Sequence, residues 1–168
     1  MNSCIYQVTF LLFLILLSSV DLYAQQVGKR SSKPFKNADT ILLNTGDSAH
    51  VALQRFSDIL LQQGYTIHRL DLQLLTLETA PQQLIPPSVD YGLEECIVHV
   101  SASPGAHSTL TIMSQSRQTA SDTIGEIESR YLPDEEEPQT RLCCFTSAQA
   151  AAKTYPGGKV EYMIQFKP

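Results

Sequence analysis

An α+β fold is what this sequence predicts: two helices packed on one face of a mainly antiparallel, curved sheet, in the order β-α-β-β-β-β-α-β. Three observations carry that expectation. Residues 49–63 and 140–153 repeat apolar side chains at steps of three and four, the spacing of one helical face. Other short stretches alternate apolar and polar residues, as half-buried strands do. The strands between the two helices come as two hairpins separated by a longer connection, and hairpin-linked strands make the sheet mainly antiparallel.

Each element has its own signals. Thr40-Ile41-Leu42-Leu43 reads as the first strand, and Thr45-Gly46-Asp47-Ser48 as a turn with Asp47 or Ser48 capping the first helix. In that helix Ala49, Ala52, Leu53, Phe56, Ile59 and Leu60 form the apolar stripe. Gly64 follows at the position where a left-handed conformation ends a helix. Tyr65 to His68 and Leu75 to Thr79 alternate as a strand pair around Asp71-Leu72-Gln73. Residues 81–92, with Pro81, Pro86, Pro87 and Gly92, read as a longer connection. Cys96, Val98, Val100 and Ala102 fall on one face of the next strand. Pro104-Gly105 turns it, and Leu110 and Ile112 continue the inward pattern. Leu142, Phe145, Ala148 and Ala152 mark the second helix, Pro156-Gly157-Gly158 ends it, and Val160, Tyr162, Ile164 and Phe166 alternate in a last strand.

The organisation expected is a signal peptide over residues 1–24, a flexible linker over 25–37, and one α+β domain over 38–168 with an acidic loop at 116–138 that has room for a short strand near Ile124 to Ile127. Residues 10–17 are an unbroken apolar run, broken by Ser18, Ser19 and Asp21, and too short for the ~20 residues that span a bilayer. Cleavage is expected after Ala24. No Lys or Arg precedes the run and Leu22 is bulky for its place, so a retained anchor is the alternative, with membrane contact through this segment alone. Export implies a periplasmic or secreted, disulfide-permissive setting. A domain of this length buries a core without metals or disulfides.

Charge excludes some function classes. The 168 residues carry a net charge of −5, which speaks against general nucleic-acid binding, and only 17% are charged, against about a quarter in a typical domain, which suits an exported protein. The charges are segregated: Lys29, Arg30, Lys33 and Lys36 cluster early, and Asp134, Glu135, Glu136 and Glu137 late. Both read as solvated segments, with a basic arm touching anionic lipid or a partner as the sharper reading.

The part after residue 24 keeps three cysteines, Cys96, Cys143 and Cys144, an odd number that leaves one thiol without an intramolecular partner. Two readings stay open: small buried apolar residues, or a bridge from Cys96 to Cys143 or Cys144. Cys-x-x-Cys is absent, so thioredoxin-like redox chemistry and a structural zinc site both lack support.

The stretch from Ala38 to Thr79 runs strand, capped helix, Gln63-Gly64-Tyr65-Thr66-Ile67, Asp71, and a strand closing on Leu77-Glu78-Thr79. This pattern resembles small exported envelope proteins of Bacteroidota-type bacteria. It is also similar to the domains of the lipoprotein C subunit of the outer-membrane β-barrel assembly machinery. The chain departs from the latter in lacking a lipidated cysteine and any Trp in its second helix. The resemblance implies an envelope binding module and carries over no catalytic residue.

Candidate chemistry is sparse. Gly-x-Ser-x-Gly, Gly-x-x-x-x-Gly-Lys and Gly-x-Gly-x-x-Gly are all absent, so no catalytic residue and no cofactor is assigned. Alternation places His68, Glu78 and His99 on the polar side of neighbouring strands, a trio with imidazole and carboxylate donors suited to a transition metal. Ordinary surface residues are the plainer reading. His50 and His107 fall at a helix start and a turn. The function expected is a non-enzymatic module that binds an envelope protein or a small ligand on a sheet face made of Thr66, His68, Thr76, Glu78, Ile97, His99, Thr111 and Met113. The alternative is a small exported hydrolase or metal-dependent enzyme using His68, Glu78 and His99.

Overall fold

The computed structural model describes residues 28–83, 93–120, 123–128 and 139–165, with backbone only for residues 93, 94, 118–120, 123–128 and 139–143. The signal peptide expected over residues 1–24, residues 84–92, the acidic run 134–137, Phe166 and the side chains of Leu142 and Cys143 lie outside the described residues. In chain order the elements are β1 (Arg30–Ser31), β2 (Thr40–Thr45), α1 (Ala49–Gln62), β3 (Ile67–Asp71), β4 (Thr76–Thr79), β5 (Gln82–Gln83), β6 (Leu93–Ala102), β7 (Ser108–Ala120), β8 (Thr123–Glu128), α2 (Gln139–Thr154) and β9 (Lys159–Met163).

The fold is α+β, with an antiparallel sheet ordered β1-β9-β2-β7-β6-β4-β3. The long β6–β7 hairpin is its spine. On the outer side of β7, β2 pairs up to Met113 and β8 takes over from Gln115. On the outer side of β6, β4 pairs with His99 to Ser101 and β5 with Glu95 and Cys96.

Both helices cover one face, and the core lies between them and the sheet. Ala52, Leu53, Phe56 and Leu60 of α1 and Phe145, Ala148, Ala151 and Ala152 of α2 meet Ile41, Leu43, Leu77, Val98, Val100, Leu110, Ile112 and Tyr162. Phe56, Leu60 and Phe145 are fully buried. Burying a side chain of this size contributes ~1.5–3 kcal/mol by transfer from water.

α1 ends as its sequence predicts. Gly64 has φ +88°, Tyr65 N–H donates to the Leu60 carbonyl (3.0 Å) and Gly64 N–H to that of Leu61 (3.0 Å). This pattern satisfies the last carbonyls, and Tyr65 packs into the same core as Leu60. Its start differs from expectation. Ser48 sits at the cap position but makes no side-chain cap bond. The Asp47 carboxylate turns elsewhere, accepting from Arg55 Nη1 (2.6 Å) and from the Tyr155 hydroxyl (2.6 Å). The Asp47 carbonyl accepts from Ser108 N–H and Oγ. One residue thus ties the start of α1, the start of β7 and the end of α2. Burial, with Asp47 holding the phenol proton, pushes the Tyr155 pKa up. Tyr65, buried and donating to Ser147 Oγ at 2.7 Å, is also raised, through burial.

Three expectations are corrected. The flexible linker over 25–37 gives way, from residue 28 on, to a segment held on the sheet. Arg30 and Ser31 pair with Met163 and Tyr162, Gly28 N–H donates to the Ile164 carbonyl, and Phe35 packs against the core. The loose loop over 116–138 gives way, up to residue 128, to the far end of β7 and to β8, because β6 is long enough to template the pairing through Leu93↔Thr119. The last strand stops at Met163, short of Phe166. Cys96 and Cys144 form a disulfide across 48 residues, clamping α2 to β6. Of the two readings open for the cysteines, this is the bridged one.

Candidate ligand-binding groove on the open sheet face

The face turned away from the helices is organised in rows, because antiparallel partners point the same way. Strand pairing fixes two of them. One runs Arg69, Glu78, His99, Met113, Thr40, Met163 and Arg30, crossing seven strands. The other runs Asp71, Thr76, Ser101, Thr111, Leu42 and Glu161. Between the rows, at the β3–β7 end, lies an open groove of about 250 Å³, lined by Arg69, Thr76, Leu77, Glu78, His99, Val100, Ser101, Thr111 and Met113.

Local structure sets the charge at its rim. Asp71 Oδ1 accepts from the backbone N–H groups of Gln73 (3.0 Å) and Leu74 (2.9 Å), which fixes the β3–β4 turn. Its other oxygen accepts from Arg69 Nη2 at 3.0 Å. The Leu74 amide first, then Arg69, hold the Asp71 carboxyl below its usual range. Arg69 is thereby anchored at the edge, facing Glu78 in register. Glu78 Oε2 and His99 Nδ1 lie 3.8 Å apart, both partly exposed. The hydroxyls of Thr76, Ser101 and Thr111 and the thioether of Met113 complete the lining. The groove thus offers both charge signs, three hydroxyls and one flexible apolar side chain.

Five residues expected on this face line the groove: Thr76, Glu78, His99, Thr111 and Met113. Three do not. Thr66 precedes β3, and its carbonyl accepts from Ala80 N–H. Ile97 is buried and lies opposite Gln115, outside the groove lining. His68 occupies a β-bulge: Ile67 faces Thr79 and Arg69 faces Glu78, so the extra residue between them shifts the alternation. Arg69, not His68, stands beside Glu78. The His68–Glu78–His99 trio is therefore not assembled, and among the described residues no three His, Cys, Asp or Glu side chains converge as a metal site. Four lining residues fall outside the expected set: Leu77 and Val100, which belong to the core, and Arg69 and Ser101 on the open face. Ser101 shares the parity of His99 and was legible; Arg69 was not, because nothing in Tyr65 to Leu70 announces a bulge.

No helix among the described residues is long and apolar enough to cross a membrane. The chain matches no protein-family model and no curated protein.

Proposed function

We propose that this chain is an exported, non-enzymatic binding module whose open sheet face takes side chains of a protein partner in the periplasm or outside the cell. The observation that carries the reading is the groove built by the two cross-strand rows. At about 250 Å³ it is smaller than the ~300–1,000 Å³ pockets that enclose small molecules, and it is open along the sheet. Such a groove suits a few protruding side chains better than a swallowed ligand. Paired charges and hydroxyls give it hydrogen-bonding specificity. The Cys96–Cys144 bond agrees with an oxidising compartment, as does the apolar run at residues 10–17 followed by small and polar residues. The pattern shared with envelope lipoprotein domains over Ala38 to Thr79 points the same way.

A photo-crosslinking side chain placed at Thr111 in the groove, and separately at exposed Gln54 on α1, tests the reading in the native cell envelope. A discrete protein adduct from position 111 and none from 54 is the expected result. No adduct from 111, or equal adducts from both positions, would sink it. Export itself is checked by the N-terminal residue of the recovered protein, expected to be Gln25.

A further inference from the structure

We infer that the groove on the open face takes a cationic side chain of the protein partner, the ammonium of a lysine or the guanidinium of an arginine. This rests on the binding-module reading above and names the chemistry that the groove selects. Glu78 of β4 stands in its row between Arg69 of β3 and His99 of β6, and all three line the groove. In the next row Thr76, Ser101 and Thr111 follow one another across β4, β6 and β7, so three hydroxyls lie along the same groove.

Arg69 is drawn to the acid of its own strand. Its Nη2 donates to Asp71 Oδ2 at 3.0 Å, and Asp71 Oδ1 accepts from the Gln73 and Leu74 amides. The turn fixes the Asp71 carboxylate, the carboxylate holds the guanidinium, and the two form an ion pair at the sheet edge. Glu78 Oε2 has His99 Nδ1 at 3.8 Å, longer than a hydrogen bond.

Donor and acceptor chemistry then selects the sign of the occupant. A carboxylate only accepts hydrogen bonds, and a hydroxyl accepts as well as donates. An ammonium or guanidinium only donates, so one such group satisfies Glu78 and the hydroxyls beside it. A partner carboxylate would meet Glu78 as a like charge, with the Arg69 fork already directed at Asp71. The walls suit a long cationic side chain too. Met113 lies beside His99 on β7 and offers a flexible apolar surface to a methylene stem.

The test is the yield of the photo-crosslinked adduct from position 111 in the native cell envelope, read in variants of opposite charge change. Glu78→Gln should lower it about tenfold. Arg69→Gln removes the rim cation and leaves the Asp71 charge at the groove, so the yield should hold or rise about twofold. Thr76→Lys offers Glu78 an ammonium from its own strand and should lower the yield about tenfold, well beyond Thr76→Gln. That pair decides the matter if Glu78→Gln shifts the melting midpoint seen by circular dichroism. An anionic occupant reverses the order, with Arg69→Gln the damaging change. An uncharged one leaves the yield unmoved by Glu78→Gln and makes the two Thr76 variants equal. Either pattern, or equal losses from Glu78→Gln and Arg69→Gln, overturns the inference while the adduct itself upholds the binding-module reading. Absence of any adduct from position 111 removes both.

Discussion

The two faces of the sheet are made by the same strands, alternate residues pointing to each, yet they are built for opposite ends. Toward the helices, β7 presents Leu110 and Ile112, both buried in the core. Toward the open side it presents Thr109, Thr111 and Met113, all partly accessible. The helix face is held by packing, by the Cys96–Cys144 clamp and by the Asp47 knot. The open face is held by its backbone ladder, and its side chains interact in small polar pairs such as Glu78–His99 and Thr109–Asn44. If the open face binds as proposed, stability and recognition fall on opposite sides, and substitutions on the open face should change what is bound with little effect on folding.

The largest effect is expected from Phe56→Ala. It empties a fully buried site under the sheet and should cost about 4 kcal/mol in urea unfolding. A loss below about 1 kcal/mol would mean that α1 is not the roof of the core. Replacing Cys96 and Cys144 together by Ala releases a closure of 48 residues and should cost about 3 kcal/mol, read as a lower unfolding midpoint under non-reducing conditions. Gly158→Ala comes next. A Cβ there would fall 2.5 Å from Leu43 Cδ1 and 3.2 Å from the Tyr155 ring, so about 2 kcal/mol should be lost on overpacking.

A smaller effect is set by pH. The raised Tyr65 and Tyr155 phenols stay protonated in the folded chain at a pH where the unfolded chain has begun to ionise, at about pH 10. Their contribution is complete below that pH and is lost as pH rises through the higher folded values. Stability should therefore fall on the alkaline side, and Tyr65→Phe should flatten the slope in unfolding curves between about pH 9 and 11. The smallest effect belongs to the open face. Glu78→Gln and His99→Gln should each change stability by no more than about 0.5 kcal/mol while weakening the adduct formed from position 111. A large stability loss from either would assign the open face to the fold rather than to binding.

Much of this arrangement was legible in the sequence because it rests on periodicity. The stripe from Ala52 to Leu60, the stop at Gly64 and the alternation from Cys96 to Ala102 each map onto an observed element. What was hidden depends on long-range partners. Residues 116–120 look polar and loop-like, yet a partner strand templates their backbone, and Ser114 and Ser116 serve as small buried residues on the helix side. Arg30 and Ser31 carry no strand signal and are ordered by pairing with β9. His68 shows how alternation fails: one extra residue in an edge strand moves every later side chain to the other face. That single shift puts a guanidinium where an imidazole was expected, turning a possible metal site into a charged rim.

The way the outermost strands of the main sheet path are finished bears on how the molecule behaves when crowded with its own copies. A bare strand at the border of a sheet is a template on which another chain can add by hydrogen bonding. At one border β1 is only two residues long and flanked by lysines. At the other, β3 carries the irregularity at His68. Short length, like-charge repulsion and a kinked ladder all discourage border-to-border stacking, so a protein with so much β-structure is guarded against aggregation at these two borders.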